Sequence, residues 1–495
     1  MAKSTKQHYR ENEHIVENKE LSLWEALIPV IALVGMLAYN VYVFGDDAIS
    51  GSNQFILLMG GAVAAVVGFY NKVSFKQMLA EVAENIKSTT GALLILLMVG
   101  ALAGTWLISG IIPAMIYYGL QILNPTIFLA ACVVISAIIS IATGSSWTTS
   151  ATVGIALVGI GDALDISLGM TAGAILSGAY FGDKMSPLSD TTNLAPAMAG
   201  GELFSHIRYM ALTTTPTILI TLVVFVILGF SIDTSGEADT QGILDSIKSA
   251  FNISGWLFIV PLVVILMIVR KTPPLVALLV GTLLGGVFAL IFQPGVVAGI
   301  TGASQLDFQS GYKGILNAIT VNTSIETDNP ALNELFTAKG MKGMLGTIWL
   351  IVCAMVFGGI MDGIGALSRI TQGLLSMARS TFSLFASTVG SCVALNITAS
   401  DQYLAIVVPG KMFAKAYEDR GLAPENLSRT LEDSGTVTSV LIPWNTCGAY
   451  HSGVLGVPVA EYFFFAIFNW LSPMTTLFFA ALGIKIKKLA AKAGA

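Results

Sequence analysis

Apolar segments alternate with short polar stretches along most of the chain, and many of these segments are long. A helix that crosses the hydrocarbon core of a bilayer needs about 20 predominantly apolar residues. Segments of roughly 16 to 24 residues therefore predict spanning helices. They lie at 22–44, 55–70, 91–109, 210–230, 255–270, 275–292, 344–361 and 461–484.

The stretch at 71–90, NKVSFKQMLAEVAENIKSTT, has a different pattern, because lysines lie between apolar residues at helical spacing. A helix with one apolar and one charged face rests in the interface of a membrane rather than crossing it. We therefore predict an interfacial amphipathic helix at 71–90, separate from the span at 91–109.

Polar clusters interrupt the apolar pattern at 126–200 and again at 383–452. Segment 126–160 is flanked by loops without Lys or Arg, and its cluster ATGSSWTTS falls in the middle. Two half-helices of about 16 residues reach about 24 Å at 1.5 Å per residue, which is short of the far side. We predict a re-entrant hairpin whose tip is Thr143, Gly144, Ser145 and Ser146.

A second hairpin is predicted at 383–408, entering from the opposite face of the membrane. Its tip consists of Asn396, Thr398, Ser400 and Asp401. Hydroxyl groups can also serve only to hold neighbouring membrane helices together. The paired, opposed placement of the two clusters favours a functional role over that alternative.

Each hairpin is followed by a helix that a proline interrupts, at Gly182–Asn193 and at Pro443–Cys447. Proline removes a backbone donor and clashes with the carbonyl four residues before it, so carbonyls near Asp183 and Lys184 are predicted to be free. Irregular backbone at membrane depth persists only where it faces protein or a water-filled cavity. Such carbonyls, together with side-chain oxygens, predict a site for a hard cation.

Carboxylates at membrane depth indicate function by default. Asp183 and Asp190 are the leading candidates, followed by Asp401 and Asp362. An ion pair between Asp183 and Lys184, or with a charge across the bundle, is the structural alternative. A buried carboxylate holds a proton or a cation, but not readily both, and that competition is the chemistry of a cation/proton antiporter.

The distribution of Lys and Arg predicts the orientation of the chain in the membrane. The predicted cytoplasmic segments hold 20 of the basic residues, including Lys3, Lys6, Arg10, Arg429 and Lys492, whereas the opposite side holds four. Asp46 and Asp47 mark an outside loop at 45–54. Both termini are therefore predicted to be cytoplasmic, in a multi-pass protein of the cytoplasmic membrane.

The order of features also predicts an internal repeat. SGII at 109–112 matches DGIG at 362–365 with an offset of 253, ATGSS matches ITASD with 255, and SPLSDTT matches IPWNTCG with 256. Loop charges invert between the halves, which is typical of inverted-topology repeats. We predict an all-α polytopic membrane protein of about ten transmembrane helices in two such repeats, each with a re-entrant hairpin and a discontinuous helix.

The predicted organisation has four parts. They are a cytoplasmic tail at 1–21, a first repeat at 22–230, an extracytoplasmic linker at 231–254 and a second repeat at 255–495.

Composition agrees with this class and excludes others. The chain has 495 residues, of which 54% are hydrophobic and 11% charged, and a mean hydropathy of +0.77. Soluble proteins carry about 25% charged residues. No catalytic or phosphate-binding motif occurs, so neither an enzyme nor an ATP-driven pump is expected, and no feature indicates a nucleic-acid partner. Four isolated cysteines are predicted to be small buried hydrophobic residues.

The run GAYFGDKMSPLSDTTNLA, with ATGSSWTTS upstream, resembles the NhaC family of Na⁺/H⁺ antiporters. ITASDQY and SVLIPWNTCGAY extend this resemblance over most of the chain. It implies electrochemically coupled exchange of Na⁺ for H⁺ in a homodimer. The moving part would comprise 126–209 and 383–452, and a scaffold would comprise 22–109, 210–230, 255–361 and 461–484.

The candidate ion or substrate site consists of the oxygen-bearing residues at the two tips and two breaks. These are Thr143, Ser145, Ser146, Asp183, Ser186, Ser189, Asp190, Thr191, Asn193, Asn396, Thr398, Ser400, Asp401 and Asn445. Asp190, Ser145 and Ser146 are the candidate Na⁺ ligands, and Asp190 and Asp183 are the candidate proton carriers. No cofactor is expected beyond the transported Na⁺ and H⁺.

Two alternatives stay open at this point. Similar family members exchange organic acids such as malate and lactate, or amino acids, and Lys184 or a helix N-terminus would suit a small carboxylate. Two opposed broken hairpins could also line the pore of an ion channel.

Overall fold

The structure, a computed structural model, describes residues 15–44, 51–231, 240–327, 333 and 336–489. The predictions for Lys3, Lys6, Arg10, Asp46, Asp47 and Lys492 therefore lie outside the described residues, as do parts of the predicted tail and linker.

The first part of the chain forms eleven helices as far as residue 250. They are α1 (Leu23–Phe44), α2 (Ser52–Tyr70), α3 (Phe75–Ile108), α4 (Ile111–Ile122), α5 (Pro125–Thr143), α6 (Ser146–Thr149), α7 (Ile155–Ala163), α8 (Leu168–Met185), α9 (Asp190–Ala199), α10 (Leu203–Ser231) and α11 (Thr240–Ala250). A π-helical turn at Ser150–Gly154 joins α6 to α7.

Thirteen further helices follow in the described part of the chain. They are α12 (Ile259–Val269), α13 (Pro274–Phe292), α14 (Pro294–Thr301), α15 (Phe308–Thr320), α16 (Gly340–Gly343), α17 (Leu345–Gly363), α18 (Ala366–Ser376), α19 (Thr381–Thr398), α20 (Leu404–Glu418), α21 (Pro424–Leu431), α22 (Thr446–Leu455), α23 (Val459–Tyr462) and α24 (Ile467–Ala481).

Short irregular elements complete the described fold. A 3₁₀ turn at Gly255–Phe258 precedes α12, and a π turn at Glu432–Thr436 and a 3₁₀ turn at Ser439–Leu441 follow α21. Strands β1 (Thr323–Ser324) and β2 (Thr337–Ala338) form one antiparallel pair.

The predicted all-α polytopic class is confirmed. Among the described residues, eight helices are long and apolar enough to cross a membrane, or nine if a bent pair at 241–269 counts as one span. The predicted total of about ten spans also counts the discontinuous helices, and it stays a prediction.

The predicted separate helix at 71–90 is wrong. Ser74 caps the start of α3 by accepting a hydrogen bond from the backbone N–H of Gln77, and the helix then runs through 34 residues to Ile108. The physical reason is that no proline interrupts this stretch. Buried residues also occur along the whole helix, from Val82 to Trp106. Val82 packs against Gly359, where an added Cβ would lie 2.5 Å from the Val82 Cα.

The segment at 110–125, which contains no Lys or Arg, is largely helical. The segment at 365–382, its counterpart in the predicted repeat, is largely helical as well. Gly110 at φ 79° precedes α4, and Gly365 at φ 77° precedes α18. This equivalence corresponds to an offset of 255 residues, so the predicted offset of 253 for SGII and DGIG is wrong by two positions. Within the described part of the linker at 231–254, Thr240–Ala250 forms the helix α11.

Further features recur at an offset of 256 residues. Gly144 and Ser400 both adopt the left-handed conformation, with φ of 71° and 58°, at the positions predicted to be hairpin tips. Ser189 and Asn445 cap α9 and α22, and Gly200 and Gly456 end those two helices. Element order and spacing are therefore repeated. That the two halves cross the membrane in opposite directions stays a prediction.

Small residues allow the first hairpin to pack closely on the discontinuous helix. A Cβ at Gly178 would lie 2.1 Å from the carbonyl oxygen of Val133, and one at Gly182 would lie 2.5 Å from that of Ala137. Close backbone approach at small residues is how membrane helices associate tightly. The pairing of α5 with α8 is thus built into the sequence of α8.

Single cysteines will test the predicted orientation. The exposed Ser167 precedes α8 and the exposed Glu418 ends α20. We expect a membrane-impermeant maleimide applied to intact cells to label Ser167→Cys but not Glu418→Cys, with the reverse in inverted vesicles. The wild-type chain is the control, because its four cysteines are buried. Labelling of both variants from one side would contradict the inverted repeat.

Candidate ion-binding site

The tip of the first hairpin presents polar atoms in a compact turn. Gly144, in the left-handed conformation, ends α5, and the Ser145 hydroxyl accepts a hydrogen bond of 3.2 Å from the Thr148 N–H. Ser146 then begins α6. The predicted interruption at 143–146 is therefore present, because Gly144 supplies a conformation that side chains rarely adopt.

Asp183 is the acidic residue that meets this tip. Its carboxylate oxygen accepts hydrogen bonds from the Ser146 N–H at 3.0 Å and from the Ser146 hydroxyl at 2.7 Å. The side chain is buried. Hydrogen bonds to a charged acceptor are the stronger kind, so Ser146 both orients Asp183 and stabilises its anionic form.

The break that follows is shorter than predicted, because α8 continues through Asp183 to Met185 and α9 begins at Asp190. The Ser186 hydroxyl donates to the carbonyl of Ile141 at 2.8 Å, which attaches the break to α5. At Gly144 an added Cβ would lie 2.6 Å from the Leu188 Cβ. The tip and the break are therefore packed directly against each other.

The carbonyls predicted to be free are occupied. The Thr192 hydroxyl donates to the carbonyl of Asp183 at 3.2 Å and to that of Lys184 at 3.0 Å. A side chain from α9 thus replaces the backbone donors that the break removes. This corrects the prediction that these two carbonyls are available to an ion.

Asp190 differs from the buried Asp183 in its exposure to solvent. It is exposed at the first position of α9, whereas Ser146 contacts Asp183. Asn193 donates to the carbonyls of Pro187 at 3.0 Å and Ser189 at 2.6 Å, so its amide holds the break together. The Thr191 hydroxyl is paired with that of Ser189 at 3.1 Å.

The second tip and break form an amide-rich counterpart. Asn445 donates to the Asn396 carbonyl at 3.0 Å and to its side-chain oxygen at 3.1 Å. The Thr446 N–H donates to the Ser400 carbonyl at 2.9 Å. Asp401 accepts from the Leu404 N–H at 3.0 Å at the start of α20.

Thr398, the remaining candidate at this tip, donates its hydroxyl to the Ala394 carbonyl at 2.8 Å. The structure therefore brings Asn396 and Asn445 together and joins Ser400 to the start of α22. The hydrogen bonds described for Thr398 and Asp401 lie within their own segments.

The two halves meet beside the first tip. Trp147 stacks on Tyr450 of α22 with ring centroids 3.9 Å apart, and the Ser150 hydroxyl lies 2.9 Å from Nδ1 of His451. A π-helical turn at Ser150–Gly154 follows immediately. Regular α-helical hydrogen bonding is therefore interrupted where the two halves meet.

A buried ion pair also joins the two halves of the chain. Lys184 donates to Asp433, and both side chains are fully buried. Lys184 also donates to the Ser472 hydroxyl at 3.2 Å. Asp433 accepts from Thr213 at 2.8 Å and from Thr476. The alternative of an ion pair across the bundle is thus realised by Lys184, and not by Asp183.

Arg429 and Glu432 extend this buried charged group. Arg429 was expected in a cytoplasmic loop, but it is fully buried in α21, 4.6 Å from the Tyr209 ring centroid and 4.0 Å from Asp433. The signal in the sequence is the run RTLED, since residues three and four apart share one helix face. The run is flanked mainly by polar residues, PENLS before it and SGT after it, so it resembles a solvated helix and its burial is not evident from the sequence.

A profile of the Na⁺/H⁺ antiporter family matches residues 178–484. The Na⁺/H⁺ antiporter NhaC of Alkalihalophilus pseudofirmus is 38% identical, covering 86% of this chain and 89% of that protein. The malate-2H⁺/Na⁺-lactate antiporter of Bacillus subtilis is 34% identical, covering 94% of both chains. The arginine/ornithine antiporter ArcD of Halobacterium salinarum is 32% identical, covering 96% of this chain and 95% of that protein.

Breaking the Lys184–Asp433 pair should strongly destabilise the protein. Removing one partner of a buried ion pair leaves an uncompensated charge and costs about 3–5 kcal/mol. We expect Lys184→Met and Asp433→Leu each to lower the thermal unfolding midpoint in detergent, and the double variant to recover much of the loss. Lys487→Met is the control, because Lys487 is about half exposed beside Glu425. A double variant as unstable as the sum of the two single variants would contradict this coupling.

Proposed function

Because this chain belongs to the Na⁺/H⁺ antiporter family, we propose that it is a secondary antiporter that exchanges Na⁺ for H⁺ across the cytoplasmic membrane by alternating access. The observation that supports this most directly is the buried Asp183 carboxylate held at the tip of a broken hairpin by Ser146. A carboxylate at membrane depth beside hydroxyl oxygens suits a hard cation.

The proposed Na⁺ ligands centre on the pair that the structure brings together. Asp183 would supply the charge, and the hydroxyls of Ser145 and Ser146 would supply neutral oxygens. Asp190, exposed at the start of α9, remains an alternative ligand that can be tested in parallel. Each of these oxygens already has a protein hydrogen bond or a capping role, so ion binding would exchange these contacts for metal–oxygen bonds.

Movement between two parts of the molecule would carry the ion across. We propose that 126–209 and 383–452 move against a scaffold of the remaining spans, in a homodimer whose termini are cytoplasmic. The break at 186–189 and the π turns at 150–154 and 432–436 support this proposal. They interrupt regular helix hydrogen bonding in the segments that would have to shift.

The cation hypothesis is favoured over a carboxylate substrate by the state of Lys184. A carboxylate substrate needs a cationic partner or a helix N-terminus. Lys184 is engaged by Asp433 and Ser472. Organic-acid or amino-acid exchange stays the second candidate, because the malate-2H⁺/Na⁺-lactate and arginine/ornithine antiporters are relatives.

Proteoliposomes with an acidic interior test the exchange directly. Adding Na⁺ outside wild-type vesicles should dissipate the pH gradient, as recorded with an internal pH dye. Asp183→Asn should abolish this response because the substituted amide carries no charge. Glu418→Gln, at an exposed position far along α20, should respond as wild type. An unresponsive wild type would overturn the function, whereas a fully active Asp183→Asn would overturn only the residue assignment.

The second candidate requires a separate measurement in the same vesicles. Labelled malate, lactate and arginine should not accumulate when the unlabelled compound is loaded inside, with or without a Na⁺ gradient. Na⁺-dependent counterflow of any of the three would favour organic-substrate exchange over simple Na⁺/H⁺ antiport.

A further inference from the structure

Glu432 occupies an unusual position for an acidic side chain. It is the first residue of the π turn at Glu432–Thr436, and its side chain is fully buried. Among the described residues, neither of its carboxyl oxygens has a hydrogen-bond partner. The hydroxyls of Thr191 and Thr436 lie beside it, but neither meets hydrogen-bond geometry.

The surrounding charges balance without Glu432. All four neighbouring charged side chains are buried. In their ordinary charge states Lys184 and Arg429 contribute two positive charges, and Asp183 and Asp433 contribute two negative charges. An ionised Glu432 would therefore leave this group with one net negative charge. Burying an ionised carboxylate that is neither paired nor hydrogen-bonded is so unfavourable that such a group normally takes up a proton.

The neighbouring carboxylates are also buried, but they differ from Glu432 in their hydrogen bonding. Asp183 accepts two hydrogen bonds from Ser146, and Asp433 accepts hydrogen bonds from Lys184, Thr213 and Thr476. Such donors favour the anionic form. Where environments separate two acidic groups in this way, one holds the proton and the other holds the charge.

We infer that Glu432 carries the proton that is exchanged for Na⁺, while Asp183 remains the anionic ligand. This inference rests on the proposed antiport. The O–H bond of the Glu432 carboxylic acid breaks, and the proton passes to water on the side to which the site is open. The carboxylate left behind is neutralised by Na⁺ arriving beside Asp183, and the reverse sequence operates on the other side.

The titratable and charged groups that face Glu432 come from three directions. Asp183 and Lys184 lie on α8, and Cys392 lies on α19. Asp433 follows Glu432 in the same π turn, and Arg429 lies in α21, directly before that turn. Lys184 and Arg429 both lie within ion-pair distance of Asp433, and among the described residues neither forms an ion pair with Glu432. The guanidinium nitrogens of Arg429 also lack hydrogen-bond partners there, so no cation is directed at the Glu432 carboxyl group.

Two transport assays separate proton coupling from ion binding. One follows exchange of ²²Na⁺ against internal Na⁺ at equal pH, and the other follows ²²Na⁺ uptake driven by a pH gradient. Glu432→Gln, which mimics the protonated side chain, should retain the first. Its gradient-driven uptake should fall about a hundredfold, in the lower range of what loss of a proton-transferring side chain costs. Asp183→Asn should lose both.

Two further variants keep the inference open to refutation. In Glu432→Asp, ²²Na⁺ uptake should remain coupled to the pH gradient, but the pH dependence of uptake should be displaced. This variant tests the role of Glu432 if Glu432→Gln does not fold. Glu425→Gln is the matched control, because that carboxyl is paired with Lys487 at 2.6 Å, and it should retain both activities.

The assignment would be overturned if Glu432→Gln kept gradient-driven ²²Na⁺ uptake at the wild-type level, or if the folded variant lost both activities equally. An unchanged pH profile in Glu432→Asp would overturn it as well. A wild type inactive in both assays would instead overturn the antiport function itself.

Discussion

The cost of placing charge inside a membrane protein governs the architecture around the site. Lys184 and Asp433 lie on opposite halves of the chain, are fully buried and are bonded to each other. Neither charge is tolerable alone in a low-dielectric interior, so the two halves must come together for either half to be stable. The hydroxyls of Ser472, Thr213 and Thr476 complete the coordination of the pair. This interaction fixes the relative position of α8 and the turn after α21, and the remaining features of the site are arranged around it.

The broken helices follow the same constraint on polar groups. Backbone carbonyls that lose their helical donors need other partners at membrane depth. Thr192 supplies them for Asp183 and Lys184, and Asn445 and Asn396 satisfy each other in the second half. Each interruption is therefore stabilised by side chains from the helix that follows it. A site of this kind can be polar without being loose, which an ion-binding site requires because its ligands must be held in place.

The membership in an antiporter family and the geometry of the site constrain the chemistry from different directions. Relatives that exchange Na⁺, malate with lactate, or arginine with ornithine share at least 32% identity with this chain, so the family alone does not select the substrate. The hydrogen bonds of Lys184 favour a cation, since they engage the most obvious partner for a substrate carboxylate. Asp183 accepts two hydrogen bonds, whereas the Glu432 oxygens have no partner among the described residues. This contrast supports the proposal that Asp183 holds the charge and Glu432 the proton.

Much of this protein was determined by the sequence alone. The long apolar segments predicted the membrane spans, because helix length must match bilayer thickness, and Gly144 and Pro187 marked the interruptions through their backbone preferences. Asp183 was identified because a carboxylate in an apolar context is conspicuous.

The sequence could not show that Ser146, rather than Lys184, is the partner of Asp183, or that α3 is continuous. Nor could it reveal the buried face formed by Arg429, Glu432 and Asp433, because those residues follow one another in a run that resembles a solvated helix. Only the tertiary structure decided these points, since hydrogen-bond and ion-pair partners more than two hundred residues apart, such as Lys184 and Asp433, are selected by packing and not by local pattern.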